Sequence, residues 1–477
     1  MYDVAVIGAG VVGGMIARKL SSYQLNVCIV EKENDVAMGA TRANSAIVHA
    51  GFDAKIGSLK AKLNVRGSEM MPDVVRELGV KYIRNGSLVV GFDEDDRAHL
   101  EELYERGCAN GVKGLELIDR ERLVALEPNI SDEACYALYA PTGAIICPYE
   151  LAVAAIGNAM DNGAHLKCNF EVKSILSFPD HYELCSDSES IHARYIVNAA
   201  GVYSDAVASL MGDKTFDVHP RRGEYVLLDK ECGKTVSHTI FRTPSKMGKG
   251  ILVSPTVDGN LILGPTAVDT EDKECRDVTP EFFGNIWNEA KKSVKNIPGG
   301  KIITSFCGLR SVGSTGDFII NVPTARFVNA AGIESPGLSA SPAIAEYVCE
   351  LLGKEGLVMN KKADFDPIRP PMHAFREADT ETKNEMIHQN PAYGRIVCRC
   401  ETVTEGEILD AIRRNPRAKD LDGVKRRTRA QMGRCQGGFC GPYIMELLSR
   451  EWDVPFDTVT KFGKGSNMIV GQTKEVK

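Results

Sequence analysis

The sequence lacks several features that would narrow its function at once. Its net charge is −7, so it has no overall positive field to attract nucleic acid or anionic lipid. No apolar run approaches the roughly 20 residues that a membrane-spanning helix needs. A strand-like run begins by residue 4, which leaves no room for a secretory signal peptide. A cytoplasmic location is therefore expected, with peripheral attachment to the inner face of a membrane as the alternative.

Internal repeats and low-complexity tracts are also absent, and 477 residues are enough for two or three domains with a large core. The fourteen cysteines are distributed unevenly. Ten are scattered singly, and most of these are expected to be small buried hydrophobic residues. The other four lie close together near the C-terminus, which indicates a metal site. These four are Cys398, Cys400, Cys435 and Cys440.

The first 31 residues have the pattern of a dinucleotide-binding unit: a strand, a glycine-rich turn, a helix and a second strand that ends on Glu31. Gly8 permits the tight turn, Gly10 lets the backbone approach a pyrophosphate, and Gly13 lets the helix pack closely on the strand. The helix N-terminus offers N–H groups to the phosphates, and Glu31 can accept hydrogen bonds from a ribose. The pattern does not distinguish FAD from a nicotinamide dinucleotide.

Further along the chain, β-type runs in residues 217–267 predict a mainly antiparallel sheet, separate from the parallel layer. Two more strands lead into turns of small residues, at 198–201 and 327–339, where backbone can pass close to a flat cofactor. The second turn opens a helix. Residues 356–393 are polar and rich in proline, which predicts a linker.

Several segments together give the chain a family resemblance: VAVIGAGVVGG with Glu31, ANSAIVHAGFD, PRRGEY, GKGILVSPT, NAAG and GIESPGLSASPAIA. The sequence resembles the D-amino-acid-oxidase-like flavoproteins, and within them the FAD-dependent glycerol-3-phosphate dehydrogenases and L-2-hydroxyglutarate oxidases. Its tail resembles the bacterioferritin-associated-ferredoxin (BFD) type of [2Fe–2S] domain, which is typical of the iron–sulfur-bearing bacterial glycerol-3-phosphate dehydrogenase subunit. The resemblance implies that the dinucleotide is FAD.

The resemblance also implies the fold and its division. We expect an α/β chain with a Rossmann-like FAD-binding fold, an antiparallel β-sheet substrate subdomain and a small helical C-terminal iron–sulfur domain. The FAD-dependent oxidoreductase domain would span 1–355, with the substrate subdomain at roughly 80–145 and 217–325. The linker at 356–393 would precede the [2Fe–2S] domain at 394–455 and a tail at 456–477.

The implied FAD contacts come from several segments. The glycine turn and Glu31 would hold the ADP half, and residues 41–45 would lie near the pyrophosphate and the ring. Amides at 337–339 would face the pyrimidine side of the flavin and stabilise the negative charge that appears there on reduction. The implied cofactor-binding residues are Gly8, Gly10, Gly13, Glu31, Thr41, Asn44, Ser45, Val172, Ala200, Gly201, Gly337, Leu338 and Ser339.

Oxidation of a secondary alcohol needs a base for the hydroxyl proton and a group that holds the anionic end of the substrate. His49 is the predicted base, because the resemblance places a histidine of the VHxG segment beside the flavin. The alternatives are a structural histidine and a histidine bonded covalently to FAD. Arg310 matches the family arginine that holds an anionic substrate, and its fork suits phosphate or carboxylate equally. Lys249 matches a lysine near the substrate in the glycerol-phosphate members, with a solvated loop lysine as the alternative.

Arg221 and Arg222 are weaker candidates, expected to be structural or to line the entrance. In the tail, Cys398, Cys400, Cys435 and Cys440 provide four thiolates, which suit zinc or a [2Fe–2S] cluster. The Cys-x-Cys pair and the resemblance favour the cluster, although the small ferredoxins of this type close with Cys-x₂-Cys and four residues separate the last pair here. Four ordinary buried cysteines are the third possibility. The basic run 424–429 is expected to be a solvated face or a docking patch for an acidic electron acceptor.

These features predict an enzyme that oxidises sn-glycerol 3-phosphate to dihydroxyacetone phosphate, with hydride transfer to FAD. Electrons would leave one at a time through the cluster to a partner subunit or a quinone. One alternative is a dehydrogenase or oxidase for L-2-hydroxyglutarate or another 2-hydroxy acid. Another is an electron-transfer subunit of a flavoprotein complex without a substrate of its own. The expected ligand in the first two cases is a small anionic hydroxy compound, and no nucleic-acid partner is expected.

Overall fold

The computed structural model describes residues 1–243, 250–372, 374–471 and 473–474. Its first layer is a sheet of eight strands, in the order β10-β11-β12-β1-β2-β9, with β20 beside the end of β12 and β19 beside β20. The central pairs β12–β1, β1–β2, β2–β9 and β12–β20 are parallel. The strands are β1 (Tyr2–Ile7), β2 (Val27–Val30), β9 (His165–Lys167), β10 (Ser174–Ser177), β11 (Tyr182–Cys185), β12 (Ser190–Asn198), β19 (Ile319–Thr324) and β20 (Phe327–Ala331).

Helices pack on this sheet because its strands are buried on both faces, as parallel strands require. The helix that follows the glycine turn lies between two others in the principal core of the molecule. The helices of this layer are α1 (Val11–Ser21), α2 (Leu59–Leu78), α5 (Pro148–Asp161), α6 (Ser204–Leu210) and α8 (Gly337–Lys354).

The second layer is a nine-stranded sheet with its own apolar core. Its order is β17-β13-β16-β15-β14-β5-β7-β6, with the long β18 on β13, and all pairs except β14–β5 are antiparallel. The strands are β5 (Ser87–Gly91), β6 (Glu116–Asp119), β7 (Tyr136–Ala140), β13 (Val218–Leu228), β14 (Thr239–Arg242), β15 (Leu252–Pro255), β16 (Leu261–Gly264), β17 (Val268–Asp269) and β18 (Ile302–Gly313). Its helices are α3 (Glu94–Ala109), α4 (Arg120–Leu126) and α7 (Pro280–Ser293).

A three-stranded sheet and a small C-terminal domain complete the fold. The three strands are β3 (Ile47–Val48), β4 (Tyr82–Ile83) and β8 (Ala144–Ile146). The C-terminal domain has a separate apolar core and a two-stranded ladder of β21 (Ile396–Cys398) and β22 (Val403–Thr404). Its helices are α10 (Glu405–Arg413), α11 (Leu421–Thr428) and α12 (Gly441–Trp452). The predicted fold class, with its Rossmann-like layer, antiparallel subdomain and small helical domain, is confirmed.

The predicted linker, 356–393, is more than a connector. It carries α9 (Thr380–Gln389), and the Arg369 side chain is buried between the Asp161 carboxylate of α5 and the Asn415 carbonyl of the C-terminal domain. Its polar composition therefore reflects ion pairs with both neighbours, and its prolines do not mark a free chain. The segment fixes the C-terminal domain to the sheet domain.

Candidate active site and iron–sulfur centre

The glycine turn between β1 and α1 is built by close backbone contacts. Gly8 has φ +106°, and a Cβ at this position would lie 2.4 Å from the carbonyl oxygen of Ala199. A Cβ at Gly13 would lie 1.9 Å from the carbonyl oxygen of Gly8, so only glycine lets α1 approach the turn. The result is a helix N-terminus and a strand end that open together into one cleft.

Glu31 follows β2 and points into the same cleft. Its carboxylate oxygens accept hydrogen bonds from the backbone N–H of Ala9, at 2.8 Å, and of Glu33, at 3.0 Å. Burial raises the pKa of the Glu31 carboxyl, and the two N–H donors oppose that rise. The side chain is therefore held rigidly at the rim of the turn, with its remaining lone pairs available to a ribose.

The cleft has a volume of about 420 Å³ and extends from the glycine turn to the second sheet. Gly13 and Ser339 lie behind its wall, and Lys249 is outside the described residues. The other predicted site residues line it: Gly8, Gly10, Glu31, Thr41, Asn44, Ser45, His49, Val172, Ala200, Gly201, Arg310, Gly337 and Leu338.

The segment after Glu31 forms one side of the cleft through its side-chain hydrogen bonds. The Thr41 hydroxyl accepts a hydrogen bond from the Val11 N–H, at 3.0 Å, and so satisfies one free donor at the start of α1. The Asn44 amide bonds the carbonyls of residues 40 and 41 and accepts from the Ala46 N–H, which fixes the turn. These contacts position Ser45, whose hydroxyl lies 3.1 Å from that of Tyr225.

His49 follows β3 and is connected to the start of α8. Its backbone N–H donates to the Ser339 hydroxyl at 2.7 Å, and its Nε2 lies 3.3 Å from the Ser335 hydroxyl. Its ring lies 5.8 Å from that of Phe241 in the second sheet. The predicted cofactor contact at Ser339 is thus buried, and the structure gives this residue the task of holding the His49 backbone beside the cleft.

Arg310 reaches the cleft from β18. Its Nη2 donates to the Thr266 carbonyl at 3.3 Å, and within the described part of the chain no carboxylate is paired with it. Its neighbours differ: Arg221 pairs with Asp269 on the surface, and Arg222 pairs with the buried Glu224. Arg310 is therefore the arginine of this group that is free to bind an external anion.

The sequence did not single out Tyr225, which lines the cleft beside Arg310. Burial raises the pKa of the Tyr225 hydroxyl, and the adjacent Arg310 guanidinium opposes that rise. Its ring stacks on Phe306 with centroids 4.9 Å apart. Lys273, Arg42 and Arg276 also line the cleft without having been predicted. The only sequence signal for Tyr225 is its position in the PRRGEY segment, in which Arg221 and Arg222 were the predicted candidates.

The four clustered cysteines of the tail lie in two pairs. The Sγ atoms of Cys400 and Cys435 are 3.7 Å apart, and the Cys440 thiol is the main cause that lowers the pKa of Cys398 to about 6. Two thiolates that share one tetrahedral metal ion, with bonds of about 2.3 Å, lie roughly 3.8 Å apart. Among the described residues, no three His, Cys, Asp or Glu side chains converge on one point as ligands of a single ion. Each pair of thiols can therefore hold one metal ion, as each of the two irons of a [2Fe–2S] cluster requires.

The basic run 424–429 is neither a solvated face nor a docking patch. Arg426 and Arg427 are buried and pair with Asp35, which follows β2 in the FAD layer. Arg429 pairs with Asp258 of the second sheet and with Glu401. Its charges are therefore used inside the molecule, between the C-terminal domain and both other layers.

In the described part of the chain, no helix is both long and apolar enough to cross a bilayer.

The parallel layer with its glycine turn, the cleft toward an antiparallel sheet and the paired thiols define a flavoprotein oxidoreductase with an attached iron–sulfur domain. Comparison with known families agrees. The model of the FAD dependent oxidoreductase family matches residues 3–351, and that of the BFD-like [2Fe–2S] binding domain matches residues 396–450. The chain belongs to the FAD-dependent oxidoreductase family.

Individual relatives place it more closely. The chain is 46% identical, over 99% of both chains, to a glycerol 3-phosphate dehydrogenase of Caloramator mitchellensis. Among solved structures, the dithionite-reduced L-alpha-glycerophosphate oxidase of Mycoplasma pneumoniae with FAD bound has a TM-score of 0.72 and 32% identity, and the match covers 77% of this chain and 98% of that one. Human mitochondrial L-2-hydroxyglutarate dehydrogenase is 32% identical over 56% of this chain and 61% of its own. The predicted enzyme class and both cofactors, FAD and a [2Fe–2S] cluster, are confirmed.

Proposed function

We propose that this protein oxidises sn-glycerol 3-phosphate to dihydroxyacetone phosphate and passes the electrons through its iron–sulfur domain to a separate acceptor. The observation that carries the proposal is that one cleft holds His49 and Arg310 together with the dinucleotide turn. The near full-length likeness to the Caloramator mitchellensis dehydrogenase supports glycerol 3-phosphate as the substrate.

Each of the two side chains has one task in this proposal. Arg310 binds the phosphate, because its guanidinium has no carboxylate partner among the described residues and presents parallel donors to two phosphate oxygens. His49 accepts the hydroxyl proton through its ring, which lies beside the Ser335 hydroxyl and Phe241, while the Ser339 hydroxyl fixes the His49 backbone. Tyr225 closes the cleft beside Arg310 and offers a hydroxyl to the substrate.

When bound, FAD supplies a hydride acceptor and the cluster supplies a one-electron relay. The chain stabilises the charge that develops on reduction with the N-terminus of α8, which begins at Gly337 in the cleft wall. Lys249, which we propose to supplement Arg310 on a phosphate dianion, lies outside the described residues.

A 2-hydroxy acid such as L-2-hydroxyglutarate is the second candidate substrate. The likeness to the human dehydrogenase favours it, and the Arg310 fork suits a carboxylate as well as a phosphate. The two candidates differ in the charge and shape of the group that Arg310 holds. Only a test with substrates separates them.

Anaerobic bleaching of the flavin absorbance tests the proposal directly. We expect sn-glycerol 3-phosphate to bleach the flavin, whereas L-2-hydroxyglutarate, glycerol and the enantiomeric sn-glycerol 1-phosphate leave it oxidised. Bleaching by L-2-hydroxyglutarate without bleaching by glycerol 3-phosphate would show that the second candidate is the right one.

Replacement of His49 with asparagine is expected to lower the rate of flavin reduction by about 10²- to 10⁴-fold, because the proton acceptor is lost. FAD content should be unchanged, since the contact with Ser339 uses the His49 backbone. The control is His219→Asn, at an exposed position of β13. Equal rates in the two variants would remove His49 from the chemistry. Release of all FAD from acid-denatured protein would exclude the covalent alternative at this residue.

A further inference from the structure

The surface around Cys400 carries an apolar side chain that the fold does not use. Phe439 directly precedes the buried Cys440 and is 87% exposed. The other exposed phenylalanines of the described residues, Phe178, Phe456 and Phe462, are only 39–46% exposed. Aromatic residues, phenylalanine included, are enriched in the buried cores of protein–protein interfaces.

Phe439 lies at the most accessible edge of the cysteine site. Cys400 is exposed, whereas Cys398 and Cys440 are buried. Phe439 lies between Cys435 and Cys440 in the sequence, and the Cys435 Sγ is 3.7 Å from that of Cys400. An electron that leaves the domain therefore has its shortest way out beside Phe439.

The charge at this edge is positive. Arg399 stands between Cys398 and Cys400, is exposed, and has no ion-pair partner in the described part of the chain. Arg395 lies over the Tyr443 ring at 4.0 Å and pairs with Glu405 at 3.5 Å, but its side chain is 61% exposed, and Ile396 beside it is 47% exposed. Arg434 differs from Arg399, because it pairs with Asp229 and Glu231 of the second sheet.

We propose that Phe439, Ile396, Arg395 and Arg399 form the docking surface for a small acidic redox protein that accepts one electron at a time. The proposal rests on the proposed function and specifies the partner of the same electron path. Each substrate oxidation releases two electrons, so two molecules of the one-electron acceptor are reduced in each turnover. As in the proposed function, the hydroxyl proton goes to His49 and the hydride carries both electrons to FAD.

A protein partner fits better than a membrane surface. The exposed apolar area consists of two side chains, Phe439 and Ile396, which is little surface to bury in a bilayer. A small patch with a basic rim matches the weak, transient interfaces of electron-transfer proteins, which bury less than about 1,200 Å². Opposite charges at such a rim raise the association rate and make it sensitive to salt.

The test uses the complete protein with both cofactors, reduced anaerobically with a stoichiometric amount of dithionite, and oxidised cytochrome b5, an acidic one-electron haem protein, as the acceptor probe. Stopped-flow absorbance of the haem gives the second-order rate of acceptor reduction. We expect Arg399→Glu to lower this rate at least about tenfold at low salt and Phe439→Ser to lower it severalfold. The wild-type rate should fall as the salt concentration rises, and this dependence should weaken in Arg399→Glu.

The controls carry the same changes far from the cysteines: Arg122→Glu on α4 and Phe178→Ser, both exposed. Iron and sulfide content and the visible spectrum must match in all variants. If Phe439→Ser contains less cluster than wild type, the docking proposal is decided by the rate of acceptor reduction in Arg399→Glu and by the salt dependence of the wild-type rate. Equal rates for Arg399→Glu and Arg122→Glu would overturn the proposal. So would Phe439-dependent sedimentation with vesicles that contain 30 mol% phosphatidylglycerol.

The electrons are loaded chemically, so the outcome does not depend on the substrate. If glycerol 3-phosphate fails to bleach the flavin while reduction of the acceptor probe still depends on Arg399, the proposed substrate is wrong and the docking surface stands. If the flavin is bleached and Arg399 has no effect, the substrate stands and the docking surface is wrong.

Discussion

Replacing Arg310 with alanine is expected to lower kcat/KM for glycerol 3-phosphate by about 10²- to 10³-fold, because the phosphate then lies in the cleft without its paired donor. The arginine holds one backbone carbonyl and, among the described residues, no carboxylate, so its loss leaves no buried charge behind in the free protein. We therefore expect the variant to fold, to bind FAD and to keep its cluster. Part of the loss should appear in kcat, since binding energy at the phosphate also orients the reacting carbon.

The matched control is Arg221→Ala. Arg221 stands opposite Arg310 in the β13–β18 register, but it pairs with Asp269 and lies outside the cleft. Steady-state kinetics of the two variants should differ by about two orders of magnitude. The kcat/KM of Arg310→Lys should lie between those of wild type and Arg310→Ala, because lysine keeps the positive charge but loses the paired N–H donors of the guanidinium. Unchanged turnover in Arg310→Ala would place the anion site elsewhere in the cleft.

The dinucleotide turn could be predicted from sequence because its causes are local. Gly8 and Gly13 are required by backbone contacts within the first strand–helix unit and with the turn after β12, and their spacing is written in consecutive residues. The fold class followed from the same kind of signal. Two strands, a glycine turn and an acid in order leave few other arrangements.

The cleft beyond the turn could be predicted only in part. His49 and Arg310 were found through motifs, but Tyr225 meets Ser45 across 180 residues, and no periodicity in either segment records that contact. The Ser339 backbone amide is predicted to contact the cofactor, and the sequence did not indicate that its hydroxyl accepts a hydrogen bond from the His49 backbone. Gly337 and Leu338 line the cleft and Ser339 does not, although all three belong to one sequence motif.

The basic run 424–429 shows a second limit. Its sequence is that of an exposed helix face, with three cations in the last turn of α11. The partners that bury it, Asp35 and Asp258, lie 391 and 171 residues earlier than Arg426 and Arg429, in two different layers. The charge pattern of one segment does not record whether its counter-charges are in water or in another domain, and so a solvated face or a docking patch was predicted where the structure has a buried contact between domains.

Asp35→Ala is expected to destabilise the contact between the C-terminal domain and the FAD layer by about 3–5 kcal/mol, because it leaves Arg426 and Arg427 buried without their salt-bridge partner. Asp35 is 3% exposed and accepts a two-point contact from Arg427, at 2.7 and 2.8 Å, and a further bond from Arg426. Hydrogen exchange at the amides of α11 should accelerate strongly. The control is Asp73→Ala, whose surface pair with Arg76 is worth less than about 1 kcal/mol.

The same contact predicts how stability depends on pH. Burial alone would raise the pKa of Asp35, but the Arg427 and Arg426 guanidinium groups hold it at about 2. The pKa of an aspartate in an unfolded chain is about 3.9. The contribution of Asp35 to the free energy of folding is therefore complete above that pH and is lost as the pH falls toward 2. Wild type should lose protection at α11 over this range, whereas Asp35→Asn should start from a lower protection that changes little.

A variant of the contact between Asp35 and the two arginines can distinguish the two steps of the proposed reaction, flavin reduction by substrate and electron transfer to an acceptor. Arg427→Met weakens this contact from the side of the C-terminal domain and leaves every residue of the cleft in place. If the contact serves to hold the cysteine site against the FAD layer, glycerol 3-phosphate should bleach the flavin of this variant at the wild-type rate. Reduction of an external one-electron acceptor should slow, because the distance for electron transfer is no longer fixed. Equal slowing of both steps would mean that Asp35 and its arginines shape the cleft itself.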